Sequence, residues 1–328
     1  MVVKALDYFF AARPMLHIPI WSVGYMYAYD GPIPKVMGGA RAWCLVDSRV
    51  LLAMSLVAAG AYYLNLIYDQ ETDAINKKLG FLQRGMVTTR GLWLGFGILS
   101  VMGLGLAGYL SLELMAIVSV QFVIGCAYSA SPIKLKDRPY LGVLANALVF
   151  GALVPVAANT SCPEIVRESA AVFENAMLSG LELQWGISSS VYFFFAVASS
   201  HVLTTIPDSE GDRAVGKRTI AVELGKNRSL WIAAALAVVS VVWSATLWTA
   251  PSFAILSVVA VGAVLLTVFA IVTKSPASIL AAAKVPLFVL TILTFPSHLN
   301  YFLFLVALVF ATRIYYRRRF GITYPKLA

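Results

Sequence analysis

Two short acidic segments stand out in a chain that is otherwise poor in charge. The first reads Asn65-Leu-Ile-Tyr-Asp69-Gln-Glu-Thr-Asp73, and the second reads Asp208-Ser-Glu-Gly-Asp212. In each segment two aspartates are four residues apart, which places them on one face of an α-helix, and Asn65 extends the first face by another turn. Two carboxylates and an amide on one stripe form an oxygen-rich edge suited to a hard divalent cation such as Mg²⁺.

Each acidic segment closes a long apolar run, and this recurrence favours a shared ligand. A single aspartate in such a position could simply mark where a helix leaves the membrane. Two unpaired like-charged pairs in this setting are costly, however, and a common cation would neutralise both. We therefore predict catalytic and metal-binding roles for Asp69, Asp73, Asp208 and Asp212, with Asn65 orienting a metal ligand or a substrate oxygen.

The composition indicates a membrane protein. Of 328 residues, 60% are hydrophobic and 12% are charged, and apolar runs of about 18 or more residues recur from end to end. These runs lack the alternation of a membrane β-barrel. Three cysteines, Cys44, Cys126 and Cys162, lack the spacing of a metal site or disulfide framework. We predict an all-α fold, a polytopic transmembrane helix bundle, with residues 1–328 as a single integral-membrane domain.

The apolar runs that must position the acidic segments predict ten membrane spans, with nine as the alternative. The first predicted span is short and contains Pro14 and Pro19, and the ninth contains Lys284 and Pro286. The connecting loops leave no room for a separate soluble domain. The predicted spans cover residues 14–29, 49–68, 92–110, 112–130, 140–158, 187–206, 229–249, 252–273, 277–296 and 298–316.

The basic residues are distributed unequally between the predicted loops. With ten spans, twenty of the 25 lysines and arginines lie on the side of both acidic segments, four lie opposite, and Lys284 lies within a span. Lys and Arg are enriched in cytoplasmic loops, so this side, with Arg317, Arg318 and Arg319, is predicted to be cytoplasmic. The net charge of +9 therefore indicates orientation in a plasma or inner membrane and binding of anionic small molecules, not nucleic acid.

Basic segments at residues 134–138 and 213–228 share the predicted cytoplasmic face with the acidic segments. A divalent-metal site beside a group of cations suits a substrate with concentrated negative charge, such as a diphosphate bridged by Mg²⁺ and clamped by Lys and Arg. The plain alternative is that these cations only set the orientation of the chain in the membrane.

These segments resemble the motifs of the UbiA superfamily of intramembrane prenyltransferases. Residues 65–77 are similar to the family's first Asp-rich motif and residues 208–219 to its second, while residues 128–136 resemble its basic loop and residues 13–14 its usual opening. The resemblance implies a helical bundle around a central cavity open to the cytoplasm and the lipid. It also implies Mg²⁺-dependent transfer of an isoprenoid chain from a prenyl diphosphate to a hydrophobic aromatic or lipid acceptor, among membrane lipids.

The chain departs from this family in two places. One is Thr204, which stands where many relatives carry an additional Asp one helical turn before Asp208. After the first motif, where relatives often carry Arg-Pro, it has Gly80 to Gly85, so Lys77, Lys78 or Arg84 are the candidates to replace that arginine. A family pattern of nine spans would also place the carboxyl-terminal arginines on the opposite side. The residues predicted to bind the substrate are Lys77, Tyr128, Lys134, Lys136, Arg213 and Lys217.

The residues also support a mechanism. An allylic diphosphate ionises once the charge of the leaving pyrophosphate is neutralised, which two Mg²⁺ ions held by the aspartates could do. The allylic cation then needs a dry chamber with aromatic ring faces, for which Tyr62 and Tyr128 are candidates. The three histidines, His17, His201 and His298, are interpreted as helix-packing groups.

Other functions remain open at this point. A terpene cyclase of the same family would keep the metal site and lack a separate acceptor. An ion-coupled transporter would place carboxylates near the middle of the membrane, whereas both acidic segments here lie at helix ends beside cations. Among acceptors, an aromatic quinone precursor is the broadest prediction, and a glycerol-phosphate lipid, a tetrapyrrole acid and a carotenoid end group are alternatives.

Overall fold

The computed structural model describes residues 2–28, 46–75, 80–161, 176–246, 251–294 and 298–325, and over these ranges the chain forms helices without a β-strand. This confirms the predicted all-α fold for the described residues. The helices are α1 (Val2–Ala11), α2 (Ile18–Ala28), α3 (Ser48–Tyr68), α4 (Gln70–Ile75), α5 (Thr89–Leu110), α6 (Leu112–Ser129), α7 (Pro139–Asn146), α8 (Leu153–Asn159), α9 (Ala176–Ala214), α10 (Ile220–Ala245), α11 (Pro251–Thr273), α12 (Pro276–Leu293) and α13 (Leu299–Phe320).

Within the described ranges, nine helical segments are long and apolar enough to cross a membrane. One of them, Pro139–Asn159, combines α7 and α8 through a π-helical stretch, Ala147–Ala152. The remaining predicted span, residues 14–29, is a 3₁₀ turn at Pro14–His17 followed by α2, whose 11 described residues rise only about 17 Å. The predicted bundle of nine or ten spans is therefore present in the described ranges. Nine segments are long enough to span the membrane, and α2, the first of the ten predicted spans, is shorter.

Two helices extend beyond their predicted bounds towards the face that carries the acidic segments. The predicted span 187–206 is part of α9, which continues through Pro207 to Ala214, so the second acidic segment is itself helical. The predicted span 229–249 overlaps α10, which begins at Ile220, is interrupted at Gly225 and ends at Ala245, and residues 247–249 of this span lie outside the described ranges. The polar ends of membrane helices lie in water or among head groups and carry no apolar signal. Hydropathy therefore placed the end of α9 and the start of α10 too close to the middle of each helix.

Close backbone contacts hold the central helices together. A Cβ atom at Gly103 on α5 would lie 2.9 Å from the carbonyl oxygen of Ala53 on α3, and one at Gly151 would lie 2.5 Å from the carbonyl oxygen of Phe193 on α9. Only glycine permits backbones to approach this closely, as is common where membrane helices pack. These contacts fix α3 and α9, the two helices that end in the acidic segments.

The amino-terminal and carboxyl-terminal helices are joined by an ion pair whose carboxylate is buried. Asp7 on α1 is 1% exposed and accepts hydrogen bonds from the Tyr315 hydroxyl (2.6 Å) and from Nη2 of Arg319 (2.7 Å), both on α13. The guanidinium of Arg84, in the loop after the first acidic segment, lies 4.8 Å from the ring centre of Phe320. The carboxyl-terminal end of α13 therefore lies on the same face as the first acidic segment, as expected from the eight candidate spans that follow this segment in the described ranges.

This arrangement predicts that the loop after the first acidic segment and the chain end share one side of the membrane. Gln83→Cys and Ile322→Cys, each as the single cysteine, should react alike with an impermeant thiol reagent in intact cells and in lysed cells. Leu112→Cys, at the turn between α5 and α6, should show the opposite accessibility. If Ile322→Cys instead reacts as Leu112→Cys does, α13 does not return to the face of the acidic segments.

Candidate active site

The first acidic segment lies at the junction of α3 and α4. Asp69 ends α3, and its N–H donates to the Asn65 carbonyl at 2.9 Å. The chain resumes its helical path at once, because the Asp73 N–H donates to the Asp69 carbonyl at 2.8 Å. The stripe predicted from the spacing is therefore preserved across the junction, and Asp69 and Asp73 are both buried, at 7% and 5% exposed.

The second acidic segment lies in the last two turns of α9. Asp208 and Asp212 are one turn apart on the face that lines a central cavity, whereas Glu210 between them is exposed and does not line it. After α9, Gly216 adopts φ 75°, and the Lys217 N–H donates to the Asp212 carbonyl at 2.9 Å. This turn brings the chain back towards the first acidic segment.

Two basic side chains meet at Asp69. Lys136, in the 3₁₀ turn Leu135–Asp137, places its Nζ 2.7 Å from Oδ1 of Asp69, and Lys217 places its Nζ 3.3 Å from the same oxygen. The Arg218 N–H donates to the carbonyl of Asp137 at 3.2 Å, which joins the two loops that carry these lysines. One carboxylate thus connects the end of α3, the loop after α6 and the loop after α9.

The environment of Asp69 favours its charged form. Burial raises the pKa of this carboxyl, but the charges of Lys136 and Lys217 outweigh burial, so its pKa lies below its ordinary value. For Lys136 the order is reversed, because burial lowers its pKa by more than the neighbouring Asp69 raises it. Asp69 is therefore a buried carboxylate that depends on nearby cations.

The acidic and basic side chains lie at the polar end of one cavity of about 690 Å³. From Asp208, the first aspartate of the second acidic segment, to Tyr192 the cavity wall covers sixteen residues of α9, or about 24 Å. Away from the polar end its lining includes Val57, Phe193 and Leu290. The cavity is thus an apolar chamber almost as long as the hydrocarbon core is thick, with concentrated charge at one end.

The structure brings together most of the predicted site residues. Asn65, whose amide donates to the Ser129 hydroxyl at 3.3 Å, lines the cavity with all four aspartates. The substrate-binding predictions divide into three groups. Tyr128, Lys136 and Lys217 line the cavity; Lys134 and Arg213 do not; Lys77 lies outside the described residues.

Several cavity residues were not predicted from the sequence to be site residues. Arg13 lies 4.0 Å from Asp73, and Arg138, His201 and Lys284 also line the cavity. His201, interpreted as a packing group, faces the chamber, with its Nε2 3.4 Å from Nδ2 of Asn146. Its position seven residues before Asp208, two helical turns on the same face, was a usable signal.

The aspartate pairs offer the oxygen ligands that Mg²⁺ prefers, but they are too few to fill its coordination shell. Within the described part of the chain, no group of three or more acidic, histidine or cysteine side chains is placed to hold a metal ion. Mg²⁺ is usually bound in proteins through one or two carboxylates, with waters and substrate phosphates completing its six ligands. The aspartate pairs match that pattern, in which waters and phosphate oxygens supply the remaining ligands.

Comparison with known proteins agrees with this chemistry. The UbiA prenyltransferase family matches residues 17–289. The chain is 29% identical to digeranylgeranylglyceryl phosphate synthase of Sulfolobus acidocaldarius, over 57% of this chain and 60% of that protein. It is 25% identical to the bacteriochlorophyll synthase 34 kDa chain of Chloroflexus aurantiacus, over 58% and 57%. The matches thus span about 60% of these two relatives.

The fold is also similar to a solved structure, a UbiA homologue from Archaeoglobus fulgidus bound to DMAPP and Mg²⁺. The TM-score is 0.66 at 19% sequence identity, over 88% of this chain and 98% of the other. This similarity shows that the helical bundle is shared.

The geometry at Asp69 predicts different consequences for two neighbouring lysines. Lys136→Met leaves the buried carboxylate with Lys217 alone, so it should destabilise the protein by up to about 3–5 kcal/mol. The side chain of Lys134 lies outside the cavity lining, so Lys134→Met should change the free energy of unfolding by about 0.5 kcal/mol or less. Thermal unfolding in detergent measures both, and Asp69→Asn combined with Lys136→Met should recover part of the loss. Equal melting temperatures for the two single variants would contradict the ion pair.

Proposed function

The chain belongs to the UbiA prenyltransferase family, and from this membership we propose that it catalyses Mg²⁺-dependent transfer of an isoprenoid chain from a prenyl diphosphate to a hydrophobic aromatic or lipid acceptor, releasing pyrophosphate. The observation that carries the proposal is the charge distribution of the cavity. Both aspartate pairs, the buried Lys136 and the half-buried Lys217 lie at one end of a chamber that is otherwise largely apolar. Such a chamber suits a substrate with a diphosphate head and a hydrocarbon chain.

The aspartates are the proposed metal-holding residues. Asp69 and Asp73 from one side, and Asp208 and Asp212 from the other, would bind Mg²⁺ together with oxygens of the diphosphate. When bound, Mg²⁺ supplies Lewis-acid neutralisation of the charge that develops on the leaving group. The solved Archaeoglobus fulgidus homologue described with DMAPP and Mg²⁺ supports this choice of cation and donor.

The two lysines that pair with Asp69 are proposed to donate hydrogen bonds to the diphosphate. The ammonium groups of Lys136 and Lys217 neutralise the buried carboxylate of Asp69. A diphosphate entering this end of the cavity would accept charge-assisted hydrogen bonds from these ammonium groups. The guanidinium groups of Arg13 and Arg138, which also line the cavity, would donate further hydrogen bonds. These bonds strengthen as negative charge accumulates on the leaving oxygen, so they favour ionisation. Contacts from Lys77, Lys134 and Arg213 remain predictions.

The apolar part of the chamber is proposed to protect the reactive carbon. Breaking the C–O bond leaves its electron pair on pyrophosphate and creates an allylic cation just inside the polar end. Tyr62 and Tyr128 line the cavity there, and ring faces stabilise cations. Exclusion of water preserves the cation until the acceptor supplies an electron pair, forms the new bond and loses a proton.

The orientation is proposed from charge. The lysines and arginines of the loops are concentrated on the face of the acidic segments, and cytoplasmic loops carry such an excess. The polar end of the cavity would therefore open to the cytoplasm, where soluble prenyl diphosphates and Mg²⁺ are available.

Turnover tests the metal-holding role. Asp69→Asn and Asp208→Asn should each reduce prenyl transfer by about 10²-fold or more, because an amide replaces an oxygen ligand poorly at the point where charge develops. The matched control is Glu210→Gln, an acidic residue on the same turns of α9 that does not line the cavity, and it should keep near wild-type activity. Chelation should abolish turnover, and Mg²⁺ or Mn²⁺ should restore it.

The reaction class is tested by mass spectrometry of products made from a labelled prenyl diphosphate and candidate acceptors. A product that joins both substrates supports the transferase. A cyclised hydrocarbon from the donor alone would assign a cyclase instead, and near-normal turnover in Asp69→Asn or Asp208→Asn would contradict the two-pair site.

A further inference from the structure

Lys284 is a cation inside a membrane-crossing helix, and the reaction described above does not use it. It lies in the middle of α12, between Pro276 and Leu293, where its side chain is exposed and lines the cavity. Among the described residues, none forms a hydrogen bond or ion pair with its ammonium group. Charged residues within membrane spans are costly, and those that are retained usually face a cavity and bind a substrate or ion.

A hydrogen bond between helices fixes the depth of Lys284. The Ser200 hydroxyl on α9 donates to the carbonyl of Ala283 at 2.9 Å, so Lys284 lies level with Ser200 and His201. Asp208 is eight residues further along α9 from Ser200, or about 12 Å towards the polar end. The diphosphate held at the aspartates and the group facing Lys284 are therefore different parts of the bound substrates.

The surroundings of Lys284 define what it can bind. A lysine ammonium offers only N–H donors and a positive charge. The neighbouring wall adds the neutral polar side chains of His201 and Asn146, which lie 3.4 Å apart. A neutral hydrocarbon filling this level of the chamber would bury the ammonium without a partner, whereas a carboxylate or phosphate oxygen would satisfy it.

We propose that Lys284 is the binding site for an anionic oxygen group, a carboxylate or a phosphate, on the acceptor. The proposal rests on the proposed function, since it assigns the acceptor's head group within the same chamber. It places that head group about two helical turns deeper than the donor's diphosphate, with the allylic carbon between them. It favours acidic acceptors over a carotenoid end group.

Binding of simple probes tests this assignment without knowledge of the natural acceptor. The purified full-length protein is first loaded with Mg²⁺ and geranyl thiolodiphosphate, an unreactive donor analogue, so that the aspartate end is occupied. Dodecanoate, dodecyl phosphate and dodecanol, which share one chain length, are then titrated. Lys284→Met should weaken binding of at least one of the two anionic probes tenfold or more, Lys284→Arg should retain it, and dodecanol should bind all three proteins alike.

The two anionic probes distinguish the possible head groups. If Lys284→Met weakens binding of dodecanoate more, the group is a carboxylate; if it weakens binding of dodecyl phosphate more, the group is a phosphate. Arg313→Met is the matched control, since it removes a cation from α13 that does not line the cavity. Unchanged binding of the donor analogue shows that each variant is folded, and Lys284→Gln provides a second, polar replacement. If Lys284→Met and Lys284→Gln bind both anionic probes as the wild type does, the proposal is wrong, while the donor site and the proposed transferase are unaffected.

Discussion

The ion pairs of Asp69 with Lys136 and Lys217 are the interaction on which the polar end of this molecule depends. A buried carboxylate is unfavourable unless cations and hydrogen bonds compensate for lost hydration. Here the compensation comes from two loops far apart in sequence, so the charge of Asp69 holds those loops over the mouth of the cavity. In the proposed reaction the same constraint would prepare the site for its ligand, because a Mg²⁺–diphosphate unit would supply cations to the carboxylates and acceptor oxygens to the lysines. The groups proposed to stabilise the developing charge would then be in place before the substrate arrives, which is the condition for effective electrostatic catalysis.

The part of this site that could be predicted from the sequence is the part that local geometry determines. Helical periodicity alone places Asn65, Asp69 and Asp73 on one stripe, and hydropathy alone finds the long spans. The basic loops behave differently. Lys134 and Lys136 are two residues apart, yet only Lys136 lines the cavity, because the short 3₁₀ turn between α6 and α7 directs them differently. That turn is held by a bond from Arg218, a contact between distant segments that no local pattern contains.

The carboxyl-terminal helix illustrates the same limit at the level of topology. Residues 17–289 match the family, and α13 lies beyond them. Its position is set by Asp7 and Arg319, 312 residues apart, and by aromatic stacking such as that of Phe10 on Tyr315 at 3.9 Å. Charge bias indicated that the chain end returns to the face of the acidic segments, but not which partners hold it there. Likewise, Lys284 was an irregularity in a predicted span until the structure placed it on the cavity wall.

In the proposed active site, the two aspartate pairs and the substrate's diphosphate together create the metal site. Electron paramagnetic resonance of Mn²⁺ titrated into the purified protein tests it most directly, with and without geranyl thiolodiphosphate. We expect little tight Mn²⁺ binding by the protein alone, tight binding once the analogue is present, and loss of that binding in both Asp73→Asn and Asp212→Asn. Tight Mn²⁺ binding without the analogue, or binding that survives either substitution, would contradict a site shared by the two pairs and completed by the diphosphate.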